Sequence, residues 1–468
     1  MEKNLYNNGN VDEENEVETR QKLDNIFGSC VENAKEAYVI PSEAFDNYRV
    51  KRGLREKDGT GVIAGVTALG NAHGYMIYEN ERVADEGVLE YRGMNMVDLI
   101  EGFTSDKRFG FEECIYLLLF GKLPTQSELD DFVALLSYSR HLPPKFSEDI
   151  LMKAPSRSIM NKMAMGVLAL YAYDSNPDDT SLENVLRQCI EIIARLPVIA
   201  AHSYAVYRSN FYNKSLNLNT PRDGLCTAEN FLRVLRSTKT YTEEEARLLD
   251  LCMVIQAEHG GGNNSTFSCR VLSSSGTDTY SAISAAIGSL KGPLHGGANI
   301  KVQEMFDCVK ENISDIRDDE EISAFLLKIL KGEACDGLGK IYGMGHAIYT
   351  KSDPRAVMLK KYAKDLAYKT GYGDDYTLLE SIERVTPDLF HRFKGTNKPM
   401  CANVDLYSGL VYRMLGIPTE MYTPLFAIAR VAGWCAHRIE EAQTAKKIVR
   451  PGYKCIAKHQ IYVPMSER

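Results

Sequence analysis

The feature that most constrains this chain is how often it spells out a complete helix, with a start signal, an amphipathic body and a stop. Phe111 to Phe120 is an apolar-rich run closed by Gly121, with Pro124 just beyond. Glycine accepts the left-handed turn that ends a helix, and proline cannot continue one. Thr125-x-x-Glu128 then forms a capping box, and Leu129, Phe132, Val133 and Leu136 follow at helical spacing. Thr242-x-x-Glu245 repeats the device ahead of Ala246, Leu249 and Met253. Asp318 to Glu321 puts negative charge where the dipole of a helix over Ile322–Lys331 favours it, and Gly332 ends that helix. Thr423-Pro424 reads as a cap followed by proline at the first helical position, opening a helix from Leu425 to Glu441. Strand signals are few, Gly74 to Tyr78 being the best and Val88 to Tyr91 a second. The expected fold class is mostly α.

With 468 residues, 44% of them apolar and 25% charged, the chain has the balance of a globular protein. It holds one large domain or two to three smaller ones. Tyr280 to Leu290 and Ala427 to Ala436 are rich in Ala, Gly and Ser, so their helices are candidates for the packed centre or a subunit interface. Residues 1–25 are poor in apolar side chains and are expected to form a loose arm. That acidic, polar start lacks both the apolar core of a secretory signal and the Arg-rich bias of a transit peptide. No apolar run approaches the roughly 20 residues of a membrane span, so the expected location is the cytoplasm, away from membranes. A net charge of −8 argues against nucleic acid as a partner but leaves room for a small anion held in a local pocket of arginines. The 11 cysteines form no CxxC pair and are expected to be reduced, mostly buried thiols.

Three of the nine histidines sit in glycine-dense surroundings: His259 in AEHGGGNNST, His295 in KGPLHGGAN and His346 in GMGHAIY. Within three positions of them, 8 of 18 neighbours are Gly, where composition predicts roughly one. Glycine lets a ligand approach main-chain N–H groups closely, so a histidine on such a backbone is placed to bond something small. Arg355, Arg430 and Arg450 are candidate anion clamps. Arg430 weighs most, because an unpaired guanidinium inside an apolar helix is costly and calls for a carboxylate from protein or ligand. Asp405 precedes a helical run, where a cap is the plainer role. Metal readings are weak, since HExxH and zinc-type cysteine spacing are both absent. His437, Glu440 and Glu441 read as a solvated helix face. No P-loop or dinucleotide-binding spacing occurs.

Eight segments, in order, resemble the citrate synthase family: residues 88–102, 112–129, 257–267, 289–299, 343–356, 402–409, 426–437 and 447–451. The resemblance implies a mostly helical homodimer with a large and a small domain. The large domain would comprise 1–295 and 403–468, the small one 296–402, with hinges near Gly292-Pro293, Gly296-Gly297 and Thr396–Pro399. It implies His295, His346 and Asp405 as the catalytic set, and His259, Arg355, Arg430 and Arg450 as oxaloacetate binders. Arg450 is expected to reach the partner's site. The implied reaction joins acetyl-CoA to oxaloacetate and hydrolyses the citryl thioester, with no metal or cofactor. Rivals are a 2-methylcitrate synthase using propanoyl-CoA, a citryl-CoA lyase and a non-catalytic regulatory homologue. The segment after His259 is one residue longer than the common family form, and Ala347 stands where many bacterial members have Arg.

Overall fold

In the computed structural model the described residues are 13–56, 58–79, 81–396, 398–444 and 447–468. They divide into two compact units, one of residues up to Val62 together with Pro451–Arg468, the other Ile63–Arg450. The first unit carries a helix Glu13–Ala37 and a short one, Ser42–Asn47, followed by an exposed C-terminal stretch. The arm expected to be loose is therefore helical from Glu13 onward, its first twelve residues lying outside the described ones.

The second unit opens with an antiparallel sheet in the order β1 (Gly70–Tyr78), β2 (Glu81–Tyr91), β3 (Met94–Asn95). Both expected strands are present, longer than their signals. The β1–β2 register runs from Gly70 opposite Tyr91 to Tyr78 opposite Glu81 and breaks between His73 and Tyr75. Among the described residues every later regular element is a helix. Phe111–Phe120 ends on Gly121 in the left-handed conformation, and Thr125 and Thr242 each close a full capping box. Asp318 caps Asp319–Leu330 by accepting from the amides of Glu320 and Glu321.

The axis of the core is the helix Tyr422–Thr444, buried almost continuously from Tyr422 to Arg438. Its small residues let it pack against Leu182–Tyr212, Asn264–Ser273 and Thr279–Leu290, as expected of a packed centre. It starts at Tyr422, two residues before Pro424: Thr423 does not cap it but donates to the carbonyl of Gly296. Leu182–Tyr212 is long and apolar enough to cross a membrane, yet most of that stretch is buried among other helices, where a core helix needs the same composition. Two expectations fail. Cys308 and Cys335, with Cα atoms 6.0 Å apart, are joined in a disulfide. Such proximity between residues 27 apart is a property of the folded loop, which spacing cannot report. His437 is no solvated helix residue but fully buried, because the segment around Glu258 packs over it.

Candidate active site

Each candidate side chain is set by a local device. His259 follows the helix Glu243–Gln256, and His295 lies just ahead of Ala298–Asn312. Asp353 caps Pro354–Lys369, with proline at the first helical position and Arg355 next. Asn403, not Asp405, caps Val404–Met414; it accepts from the amide of Asp405. Gly343 and Gly345 take φ of 82° and 84°, a conformation glycine adopts without strain. That turn folds 343–345 against 401–403: Gly345 N donates to Cys401 O at 2.7 Å and Asn403 N to Gly343 O at 2.9 Å. Asn403 Nδ2 also donates to Gly345 O at 2.9 Å. His346 and Asp405 are thereby tied to one short backbone pairing.

His346 Nδ1 accepts from the amides of Ile348 and Tyr349 at 3.1 and 3.2 Å. The neutral ring then carries its proton on Nε2, which lies 3.4 Å from Arg355 Nη2. The His259 and His346 rings meet edge to face at 5.3 Å. Arg355, 3% exposed, is gripped in bidentate fashion by Asp353, through Nε at 2.9 Å and Nη2 at 2.7 Å. Arg430 is fully buried, and its Nε donates to Gln256 O at 2.6 Å. Its Nη1 and Nη2 have no hydrogen-bond partner. Among the described residues, therefore, no carboxylate meets this fork.

Charge follows from burial. Desolvation, reinforced by Arg430, lowers the His295 pKa to about 4, so the ring is neutral at physiological pH. His259 is pushed well below its ordinary value by burial, then by Arg355, His346 and Arg430. Burial raises Asp405 to about 6, with Arg355 opposing. Arg430 falls to about 10 through burial, although Glu258 opposes. His295 Nε2 sits 3.1 Å from Ser265 Oγ and 3.2 Å from Asn263 Oδ1, leaving Nδ1 for another partner.

Six of the seven predicted residues, His259, His295, His346, Arg355, Asp405 and Arg430, therefore share one electrostatic cluster. Arg450 does not join it: the residue is exposed, and no contact among the described residues links it to the six. Sequence reasoning missed four supports. Asp353 grips Arg355, and Tyr349 bonds His259. Ser265 holds His295 while accepting from Trp434 Nε1. Glu258 bonds the buried His437, whose Nδ1 accepts from Arg270. Only Asp353 had a local signal, its place before Pro354 at a helix start. A separate cleft of about 320 Å³, lined by Lys301, Cys308, Cys335 and Tyr342 among others, holds none of the seven. Glu112, Cys226 and Asp250 converge in the interior, but each accepts from a backbone amide, of Thr227, Glu229 and Gly110 respectively.

A helical fold that gathers half-buried His295, His346 and Asp405 beside the buried guanidinium groups of Arg355 and Arg430 has the chemistry of an enzyme that handles a small carboxylate. The chain belongs to the citrate synthase family: the family described as citrate synthase, C-terminal domain, matches residues 60–452. The citrate synthase of Deinococcus radiodurans is 35% identical over 384 residues, covering 82% of this chain and 93% of that one. The 2-methylcitrate synthase of Shewanella oneidensis is 31% identical over 364 residues, 78% of this chain and 87% of its own. A solved Thermoplasma acidophilum citrate synthase, in ternary complex with carboxymethyl coenzyme A and oxaloacetate, has a TM-score of 0.71 and 27% identity, covering 90% of this chain and 99% of that one.

Proposed function

We propose that the cluster condenses acetyl-CoA with oxaloacetate and that the six residues divide the work as follows. Arg355 and Arg430 hold the oxaloacetate carboxylates, with His259 beside them. The single observation that carries this is Arg430: a buried guanidinium with two unpartnered nitrogens matches a carboxylate in bidentate geometry. Asp405 removes the proton next to the thioester. Neutral His295 donates to the thioester oxygen as the enolate forms, which requires its proton on Nδ1. Ser265 permits that tautomer by turning its hydroxyl from Asn263 to His295 Nε2. His346, protonated on Nε2, polarises the ketone and protonates the new alkoxide. Donors preorganised toward developing charge supply the largest catalytic effect. Residues 296–402 act as a small domain that closes over the substrates, excluding water until the citryl thioester is hydrolysed. Of the hinge stretch Thr396–Pro399, Asn397 lies outside the described residues.

The working form is a homodimer, and Arg450 serves the neighbour's site. Its lack of any contact with the cluster of its own chain is what such a role requires. The first test follows free CoA thiol on mixing the protein with oxaloacetate and acetyl-CoA, then with propanoyl-CoA. Oxaloacetate-dependent release is expected, and silence with both thioesters refutes the reading. A propanoyl-CoA preference selects the methylcitrate reading, which the Shewanella relative keeps in view; one methylene is worth only roughly 1–3 kcal/mol. For Arg450, refolding an equal mixture of Asp405→Ala and Arg450→Ala chains returns about a quarter of wild-type activity if sites are shared. It returns none if each chain serves itself.

A further inference from the structure

Tyr349 is a residue that no motif singles out, yet it touches three members of the cluster at once. Its hydroxyl lies 3.1 Å from His259 Nε2. Its ring stacks on that of His346 at 4.7 Å between centroids and 25° between planes. The guanidinium of Arg355 lies over the same ring at 5.4 Å. Its amide is one of the two that donate to His346 Nδ1. The side chain is 2% exposed, so water does not substitute for these contacts.

The backbone at Tyr349 is held from outside by the irregularity in the sheet. Where the β1–β2 register breaks, Thr350 Oγ1 donates to Gly74 O and accepts from Asp85 N. Gly87 N donates to Ser352 Oγ at 3.1 Å. A Cβ on Gly74 would come 2.6 Å from Tyr349 Cα, and one on Gly87 would come 2.8 Å from Tyr349 Cδ1 and 2.1 Å from Ser352 O. The two glycines let the strands approach the loop so closely that Tyr349 has little freedom. This gives the sheet a part in the chemistry it otherwise lacks.

We propose that Tyr349 is a positioning residue whose hydroxyl fixes the tautomer of His259 and whose ring fixes the plane of His346. The inference rests on the reading of both histidines as facing oxaloacetate. Burial keeps the phenol protonated, so the O–H donates and His259 Nε2 accepts. A neutral ring that accepts at Nε2 carries its proton on Nδ1, and Nδ1–H is then the group His259 offers to the substrate. The stacked ring blocks rotation of the His346 imidazole away from the plane in which Nδ1 meets its two amides.

The two functions separate by substitution. Tyr349→Phe keeps the stack and removes the hydroxyl; Tyr349→Leu removes both. With acetyl-CoA saturating, Tyr349→Phe is expected to raise the oxaloacetate KM roughly five- to tenfold, the scale of one hydrogen bond, while kcat stays within about twofold. Tyr349→Leu is expected to raise KM similarly and also to lower kcat by about tenfold or more. A merely structural role would move thermal stability without this division. The substrate-free protein provides a readout independent of turnover. In protein labelled with ¹⁵N-histidine, the His259 signal, identified by its loss in His259→Gln, is expected to be that of a neutral Nδ1–H ring in wild type. It should shift toward Nε2–H in Tyr349→Phe. The same tautomer in both proteins overturns the proposal, as does a Tyr349→Phe enzyme with unchanged KM. A wild type that shows the Nδ1–H ring but releases no thiol refutes the synthase reading and leaves the positioning role standing.

Discussion

Arg430 makes the sharpest claim, because one substitution should raise stability and destroy binding. The guanidinium is fully buried, with Nη1 and Nη2 unpartnered. Its pKa falls from the ordinary value to about 10, chiefly through burial, which corresponds to a desolvation cost of about 3 kcal/mol. The sign is that of a base with a depressed folded-state pKa. Below about pH 10 both states hold the proton and the full cost is present, so it acts on the protein at neutral pH. Arg430→Met replaces the fork with an apolar chain of similar length. Without ligand it should stabilise the protein by up to about 3 kcal/mol, a rise in Tm of about 3 °C for a chain of this size. The same change removes two charge-assisted hydrogen bonds to a carboxylate, each worth about 1.5–3 kcal/mol. Calorimetric affinity for oxaloacetate should therefore fall by at least about 100-fold. Two checks suffice: differential scanning calorimetry of each ligand-free protein, and one oxaloacetate titration of each. A ligand-free variant that melts lower than wild type, or one that binds oxaloacetate as tightly, refutes the reasoning.

Four further outcomes follow from the structure. If Asp405 is the base, kcat/KM should climb as pH rises through about 6, where its carboxyl ionises in the ligand-free protein, and level off above; a flat profile between about pH 5 and 8 removes it from that role. Asp405→Asn should abolish turnover while calorimetry still finds oxaloacetate bound. In Gly433→Ala the new Cβ would come 2.2 Å from Glu258 Oε2 and 2.5 Å from Ala257 O, so denaturant unfolding should register a loss of roughly 3 kcal/mol; a neutral effect contradicts this close docking. Alkylation of unreduced, denatured protein should modify 9 of the 11 cysteines, and Cys308→Ser should lower stability by up to about 3 kcal/mol; 11 modified thiols would dissolve the cross-link.

Local chemistry alone determined a good deal of this protein. The capping boxes at Thr125 and Thr242, the stop at Gly121 and the acidic start at Asp318 all stand in the structure, because a cap joins groups only two or three residues apart. The segment motifs and the cost of a charge in an apolar helix picked out His259, His295, His346, Arg355, Asp405 and Arg430. Tertiary structure decided the rest. Asp353 was adjacent to a named residue, but its bidentate grip on Arg355 depends on how the helix start turns. Tyr349 and His259 are 90 residues apart, and Glu258 and His437 are 179 apart, so no periodicity or spacing couples them. The same limit explains His437, read as solvated because three polar residues on one helical face look alike whether water or a buried glutamate lies opposite. It explains Cys308 and Cys335 as well. A sequence records which groups are available and which neighbours cap them; only the packed chain brings distant polar groups into one low-dielectric place, where each must find a partner or, like Arg430, stand ready for one.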